Sequence, residues 1–344
     1  MRLLVITQKV DTKDSNLGFF TKWISEFSKQ CEHVTVICLE KGSYDAPSNV
    51  KVFSLGKEAF KKKNEKGGFL RRVHYSLRFV KLILSERKQY DGVFVHMNTE
   101  YVLLGWFVWR ILRKRVTLWY VHKQVNLKLR LAEKLVEKIF TASEESCRLD
   151  STKIEIVGHG IPVERSHQPI HTEPLHLVTV GRISPVKDVR TLLVGFSHIQ
   201  KSIPVAECTV IGEPITDKDR NYALELRKEF PRAHFVGRRL QDSIYADHPY
   251  TAFIHASQTG SIDKAVLEAL FAGLPVFTSS EAFGTDIPGI TKFEAGNPSD
   301  LAEKIERAFR EGALVIGEVG RVYVEENHSL SKLIPRIVHT YGGH

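Results

Sequence analysis

The chain has 344 residues, 42% hydrophobic and 26% charged, which excludes a disordered polymer and exceeds one ordinary core; two domains of about 150 to 180 residues fit. Four cysteines, scattered at Cys31, Cys38, Cys147 and Cys208, match neither a zinc spacing nor a disulfide framework, so a reduced, cytoplasmic setting is the simple reading. The net charge of +9 is unevenly placed, with +12 in residues 1–168 and −3 in residues 169–344, so the front half is expected to meet something anionic, lipid or nucleic acid.

In chain order, Met1 and Arg2 lead into a short apolar run that reads as a strand rather than a signal peptide. Runs at Leu3–Thr7, Val34–Leu39, Val93–His96, Val116–Val121 and Ile154–Val157 predict buried strands, with helix-like segments between most of them. Ser15-Asn16-Leu17-Gly18 falls between the first strand and a helix over Phe19–Phe27. Gly18 would let backbone approach a ligand closely, although the three-glycine dinucleotide fingerprint is absent. Between Lys57 and Lys88, Phe69, Leu70, Val73, Leu77, Val80 and Leu82 alternate with Arg71, Arg72, Arg78 and Lys81. That is either a basic amphipathic helix suited to an anionic bilayer or a domain helix with its polar face in water. The lysine run Lys61–Lys63 adds to the membrane reading. Tyr101–Leu112 is very apolar but too short to span a bilayer, and is predicted as a buried helix.

His122 ends the run VTLWYVH, where it faces a crevice beyond the strand and can donate to a sugar hydroxyl or handle a proton; a plain strand-end cap is the alternative. His159 reads as a hinge or packing residue. Residues 158–174, with two glycines and three prolines, mark a domain boundary. His167 and His171 have the i,i+4 spacing of a metal pair, but Pro169 between them argues against a helix there.

The alternation resumes with His176–Val180, Cys208–Ile211, His234–Val236, Thr251–His255 and Pro275–Thr278, which predicts parallel sheets covered on both faces. After HLVTVG, the run GRISPVKD presents Arg182 and Lys187 just ahead of a helix. Two such cations suit a diphosphate and the charge growing on a leaving nucleotide; two solvated bases are the alternative. Thr259, Gly260 and Ser261 precede a helical pattern at Ile262, Ala265, Val266, Ala269 and Leu270, stopped by Gly273 and Pro275. Unpaired N–H groups of its first turn would meet an anion. Glu268 interrupts the buried face and needs a partner, for which a ribose diol is natural. Ser329–Tyr341 is a helix-length tail that can cross back to the first domain.

With these segments the chain resembles the retaining glycosyltransferases of family 4 over essentially its whole length. GRISPVKD is similar to that family's phosphate-binding G-R-x-x-x-x-K, and AVLEALFAGLPVF to its E-A-x-A-x-G-x-P-V signature. VHK, TASEES and GHGI resemble its front-domain landmarks, in order. The resemblance implies an α/β GT-B fold of two doubly wound Rossmann-like domains facing each other across a cleft. Residues 1–165, with 329–344 packed back on them, would form the acceptor side, and residues 166–328 the donor side. It implies Arg182 and Lys187 on the donor diphosphate and Glu268 on the ribose hydroxyls. Gly260, Ser261, Ile262 and Asp263 would meet the donor phosphate and sugar, with Gly18 near the diphosphate. His122 would lie near the transferred sugar as a catalytic residue with Arg182 and Lys187, and Arg238 near the base through its backbone.

The implied enzyme is cytoplasmic, possibly peripheral on the membrane's cytoplasmic face. It moves a hexose from a UDP- or GDP-sugar to a lipid-linked or glycan acceptor, with retention. No cofactor or metal is required, an anionic membrane surface is a partner, and nucleic acid is not. The chain departs from the pattern where a second glutamate usually stands eight residues before Glu268: that position is Gly260, leaving Asp263 or Lys264 to take over a sugar contact. The front loop offers Leu17-Gly18 in place of paired glycines. Two rival readings are a nucleotide-sugar epimerase of the same fold and a membrane-associated scaffold without catalysis. A nucleic-acid binder, prompted by the basic front half, finds no recognised motif.

Overall fold

The structure, a computed structural model, describes residues 1–14, 16–60, 68–163, 174–239, 244–245, 250–260, 262–284, 286–315 and 317–342. Ser15, the Lys61–Lys63 run, the His167/Pro169/His171 group and Ser261 lie outside the described residues. The chain divides into two compact units, residues 1–162 with 328–344, and residues 163–327.

Among the described residues the front unit is built on seven strands: β1 (Arg2–Val10), β2 (His33–Lys41), β3 (Val50–Ser54), β4 (Gly92–His96), β5 (Arg115–Trp119), β6 (Lys138–Thr141) and β7 (Ile154–Ile156). They pair in parallel in the order β3-β2-β1-β4-β5-β6-β7. Strands covered on both faces need side chains that are apolar in succession, not in alternation; hence Leu3 to Ile6 and Val93 to Val95 are all buried. The order reverses between β1 and β4, where Leu3–Ile6 lie opposite Gly92–Val95, so a crevice is expected beyond the carboxyl ends of those two strands.

The helices are α1 (Phe20–Gln30), the short α2 (Lys57–Phe60), α3 (Gly68–Ser85), α4 (Thr99–Ile111) and α5 (Leu127–Leu135). On one face α3, α4 and α5 bury Phe79, Ile83, Tyr101, Trp109 and Leu129 in a single cluster, with α4 packed between α3 and α5. On the other face α1 inserts Phe20, Trp23, Ile24 and Phe27. The sequence predicts Tyr101–Leu112 as a buried helix, and here the structure differs. α4 buries Tyr101, Val102, Gly105 and Trp109 but turns Leu104, Trp106, Phe107 and Ile111 outward.

The rear unit repeats the plan with β8 (His176–Val180), β9 (Glu207–Ile211), β10 (His234–Gly237), β11 (Ala252–His255), β12 (Val276–Thr278) and β13 (Ile290–Lys292). All are parallel, in the order β10-β9-β8-β11-β12-β13. Its helices are α6 (Val189–Ser202), α7 (Asp217–Glu229), α8 (Lys264–Phe271), α9 (Pro298–Arg310) and α10 (Glu318–Asn327). Thr216 and Asp219 form a reciprocal capping box on α7, which satisfies two N–H groups that the helix itself cannot. The order reverses between β8 and β11, so the carboxyl ends of those two strands mark the rear unit's ligand crevice.

The last helix, α11 (Leu330–His339), returns to the front unit. Ile161 donates its N–H to the His328 carbonyl at 2.6 Å and accepts from Leu330 N–H at 2.9 Å. Leu330, Leu333, Ile334 and Ile337 then close the cluster over α1. Beyond the helix, the Tyr341 ring lies against Gly92, where a Cβ would overlap it, and its hydroxyl donates to the Val93 carbonyl at 2.8 Å. Among the described residues no helix is long and apolar enough to cross a membrane.

Candidate functional site

Three glycines mark the carboxyl ends of neighbouring rear strands: Gly181 after β8, Gly212 after β9 and Gly237 closing β10. Gly181 N–H donates to the Ile211 carbonyl at 2.9 Å, and Gly212 N–H to the Gly237 carbonyl at 2.8 Å. At φ +142, Gly212 has a conformation that side chains avoid, and a Cβ there would overlap the Gly181 carbonyl oxygen. The chains thus leave the sheet in close backbone contact, with no side chain between them.

The first loop runs from this rim. Arg182 is exposed and its Nε donates to Ser184 Oγ at 3.2 Å. Pro185–Lys187 form a single 3-10 turn. Asp188 sits in the left-handed region at φ +46 and caps α6, accepting from the Thr191 hydroxyl at 2.8 Å. The second loop joins the first directly. Gln258 N–H donates to the Val186 carbonyl at 3.1 Å, and Gln258 Nε2 approaches Asp188 Oδ2 at 3.4 Å.

Asp263 ties these parts together. Its carboxylate accepts from the Ala265 N–H at 3.3 Å, capping α8, forms an ion pair with Lys187, and lies 3.3 Å from His255 Nε2. His255 is buried at the end of β11, with Nδ1 2.9 Å from Thr278 Oγ1 on β12. Burial pushes the Asp263 carboxyl up. The His255 hydrogen bond and the Lys187 charge outweigh it and hold the group well below the usual carboxylate range. The sequence reading leaves the helix's first N–H groups to an outside anion; in the structure α8 starts at Lys264 and the protein's own carboxylate takes one of them. Gly260 has φ +61, a conformation in which a glutamate would be strained. Ile262 is buried in the same loop.

Glu268 lies one turn into α8, with Oε1 3.5 Å from Lys264 Nζ. Of the two residues considered as substitutes for the absent glutamate, Asp263 is therefore engaged with Lys187, and Lys264 with Glu268. Arg238 is exposed and directly follows Gly237 on β10, two strands out from β8. Lys187, Gly260 and Asp263 share one end of the rear sheet, Glu268 stands one turn into the helix that starts there, Arg182 begins the same loop as Lys187, and Ser261 lies outside the described residues. His255, Asp188 and Gln258 are additions to the sequence reading. His255, a polar residue ending the apolar run Ala252–His255, is the one whose signal was present.

In the front unit, Gly18 has a local explanation. Its N–H donates to the Asp14 carbonyl at 3.1 Å, and a Cβ would come within 2.5 Å of that oxygen. His122 is exposed and its Nδ1 accepts from Gln124 N–H at 3.1 Å. It lines a depression of about 430 Å³ with Met97, Thr99, Glu100, Tyr120 and Asn126. The Glu100–Lys128 pair, at 2.6 Å, closes one side.

Residues 174–311 match the family described as Glycosyl transferases group 1. The match lies in the rear unit and covers less than half of the chain. Both loops, Glu268 and the glycine rim fall inside it. Solved structures share the whole fold at low sequence identity. HepE of Anabaena, in complex with UDP and glucose, has TM-score 0.74 at 14% identity, covering 99% of each chain. Sucrose-phosphate synthase of Thermosynechococcus elongatus has TM-score 0.76 at 12% identity, covering 99% of this chain and 98% of its own. WaaG, a glycosyltransferase involved in lipopolysaccharide biosynthesis, has TM-score 0.69 at 15% identity, covering 99% and 100%. The two parallel-sheet units have the GT-B fold of these structures. No curated protein is significantly similar to the chain in sequence.

Proposed function

We propose that the chain binds a nucleotide-diphosphate hexose on its rear unit and transfers the sugar, with retention and without a required metal, to a lipid-linked or glycan acceptor. The observation that carries this reading is the joining of the 182–188 and 257–263 loops at the carboxyl end of the rear sheet, inside the group 1 glycosyltransferase segment. Lys187 and Arg182 supply positive charge where a diphosphate would lie and where the leaving nucleotide gains charge. Glu268 supplies a carboxylate that can accept from ribose hydroxyls, with the Gly260–Asp263 loop toward the phosphate and sugar. Arg238, at the next strand end, offers its backbone to the base. In the front unit, His122 and the depression it lines offer hydrogen-bonding groups to a sugar. HepE, in complex with UDP and glucose, favours a UDP-sugar for trial first, and WaaG's part in lipopolysaccharide synthesis favours an acceptor presented at a membrane. The basic face of α3 suits the anionic surface of that membrane, which would hold the enzyme peripherally on its cytoplasmic side.

The test is a thermal-shift screen of UDP-, GDP- and ADP-sugars against the wild type and Lys187→Ala, since a ligand that binds only the folded state raises Tm. We expect one base to raise Tm in the wild type and to lose that effect in the variant. Failure of every sugar nucleotide to shift Tm rejects the reading. With the active donor in hand, proton NMR of the product anomer tests retention, and activity in chelator tests metal independence.

A second reading, a scaffold without catalysis, draws on two observations: Lys187 is already paired with Asp263, and position 260 carries no acid. It predicts vesicle binding with no nucleotide-sugar shift.

A further inference from the structure

Three neighbouring helices of the front unit turn apolar side chains to solvent at helical spacing. On α4 these are Leu104, Phe107 and Ile111, with Trp106 beside them; Phe107 and Ile111 are 61% and 64% exposed. On α3 the outward row is Leu70, Val73, Leu77 and Leu84, and on α5 it is Leu127 and Leu131. Because α4 packs between α3 and α5, the three rows lie side by side and exceed the scattered apolar exposure normal for a soluble surface.

The charge around this band decides its occupant. α3 carries Arg71, Arg72, Arg78 and Lys81 and no acid. α5 adds Lys128, Arg130 and Lys134 against Glu133 alone. A second copy of the chain would bring like charge against like charge, whereas an anionic bilayer complements the bases and takes up the apolar row. Long basic side chains can reach the headgroups while the apolar side chains between them enter the acyl boundary.

We propose that α4 is a membrane-insertion element, with Trp106, Phe107 and Ile111 entering the interface of an anionic bilayer between the basic rows of α3 and α5. This rests on the membrane-surface part of the proposed function and deepens it from adsorption to insertion.

The molecule carries its own reporter. Of the four tryptophans, Trp23, Trp109 and Trp119 are buried, and Trp106 is 39% exposed. The full-length protein is mixed with vesicles of phosphatidylcholine, with and without phosphatidylglycerol, and with vesicles carrying brominated acyl chains. Insertion gives a blue shift and bromine quenching on phosphatidylglycerol vesicles alone, and both vanish in Trp106→Phe while sedimentation with vesicles persists. The double variant Phe107→Asp/Ile111→Asp, at solvent-facing positions, keeps the wild-type Tm and any nucleotide-sugar shift but loses at least about 10-fold in vesicle partition. Vesicle binding without blue shift, or undiminished in the double variant, overturns insertion and leaves adsorption standing. Absence of vesicle binding overturns both. Concentration-dependent dimerisation that the double variant abolishes assigns the band to a second copy and overturns the bilayer. None of these outcomes depends on whether a nucleotide sugar binds.

Discussion

Asp263 is the residue on which the rear site turns. Its carboxylate already occupies the anion position at the start of α8 and neutralises Lys187, so the diphosphate proposed for this site would have to share or displace it. Asp263→Asn removes that competing charge while keeping a capping oxygen. We expect tighter binding of UDP or the active nucleotide by calorimetry, together with lower stability. Ion pairs range from about 0.2–1 kcal/mol when exposed to about 3–5 kcal/mol when one partner of a buried pair is removed; for this part-buried pair a loss of about 2 kcal/mol in denaturant unfolding is expected. The pH dependence has a definite sign. The folded carboxyl titrates below its ordinary value, so between the two pKa values the unfolded chain binds the extra proton. The contribution of Asp263 is therefore whole at neutral pH and drains away as pH falls below about 4. In Asp263→Asn that part of the acid limb flattens. An unchanged acid limb and unchanged nucleotide affinity would show that the pair matters to neither stability nor binding.

At the scale of elements, the central strands were legible because a strand covered on both faces is written as an unbroken apolar run. β3, β6 and β13 were not: Val50–Ser54 and Ile290–Lys292 are half-polar edge strands, and Lys138–Thr141 is too short to show a period. The direction of α4 was unreadable for the opposite reason, since a helix apolar all round gives its periodicity no preferred side. In the site, Arg182, Lys187 and Glu268 stood out in their loops and helix, each placed by local sequence. The bond between Lys187 and Asp263 spans 76 residues and exists only once β8 and β11 are neighbours. The glycine rim belongs with these tertiary features. Gly212 needs both its positive φ and the absence of a Cβ against Gly181. Gly212→Ala is therefore expected to cost more than about 2 kcal/mol by chemical denaturation. A loss under 0.5 kcal/mol, within the usual surface range of about ±0.5 kcal/mol, would mean the loop relaxes freely.

Across the whole molecule, all four cysteines are buried. Burial pushes the Cys31 thiol up to about 11 and those of Cys38 and Cys208 up to about 12; Cys147 is raised as well. Neutral, inaccessible thiols do not attack disulfide reagents. Thiol titration at pH 8 should show no fast phase in the native protein and four reactive groups in denaturant; a rapid native thiol would expose a local opening in one of the two units.

The return of α11 has a consequence for how the chain is made. As the polypeptide leaves the ribosome, the aromatic layer of α1 is synthesised early, but its cover comes only after some 165 intervening residues that form the other unit. During that interval Phe20, Trp23 and Phe27 have no α11 above them, whereas residues 163–327 contain their own core in one continuous stretch. Domains fold as units during synthesis. Here the later-made unit is positioned to finish first, and the nascent front sheet is the part that would depend on a chaperone.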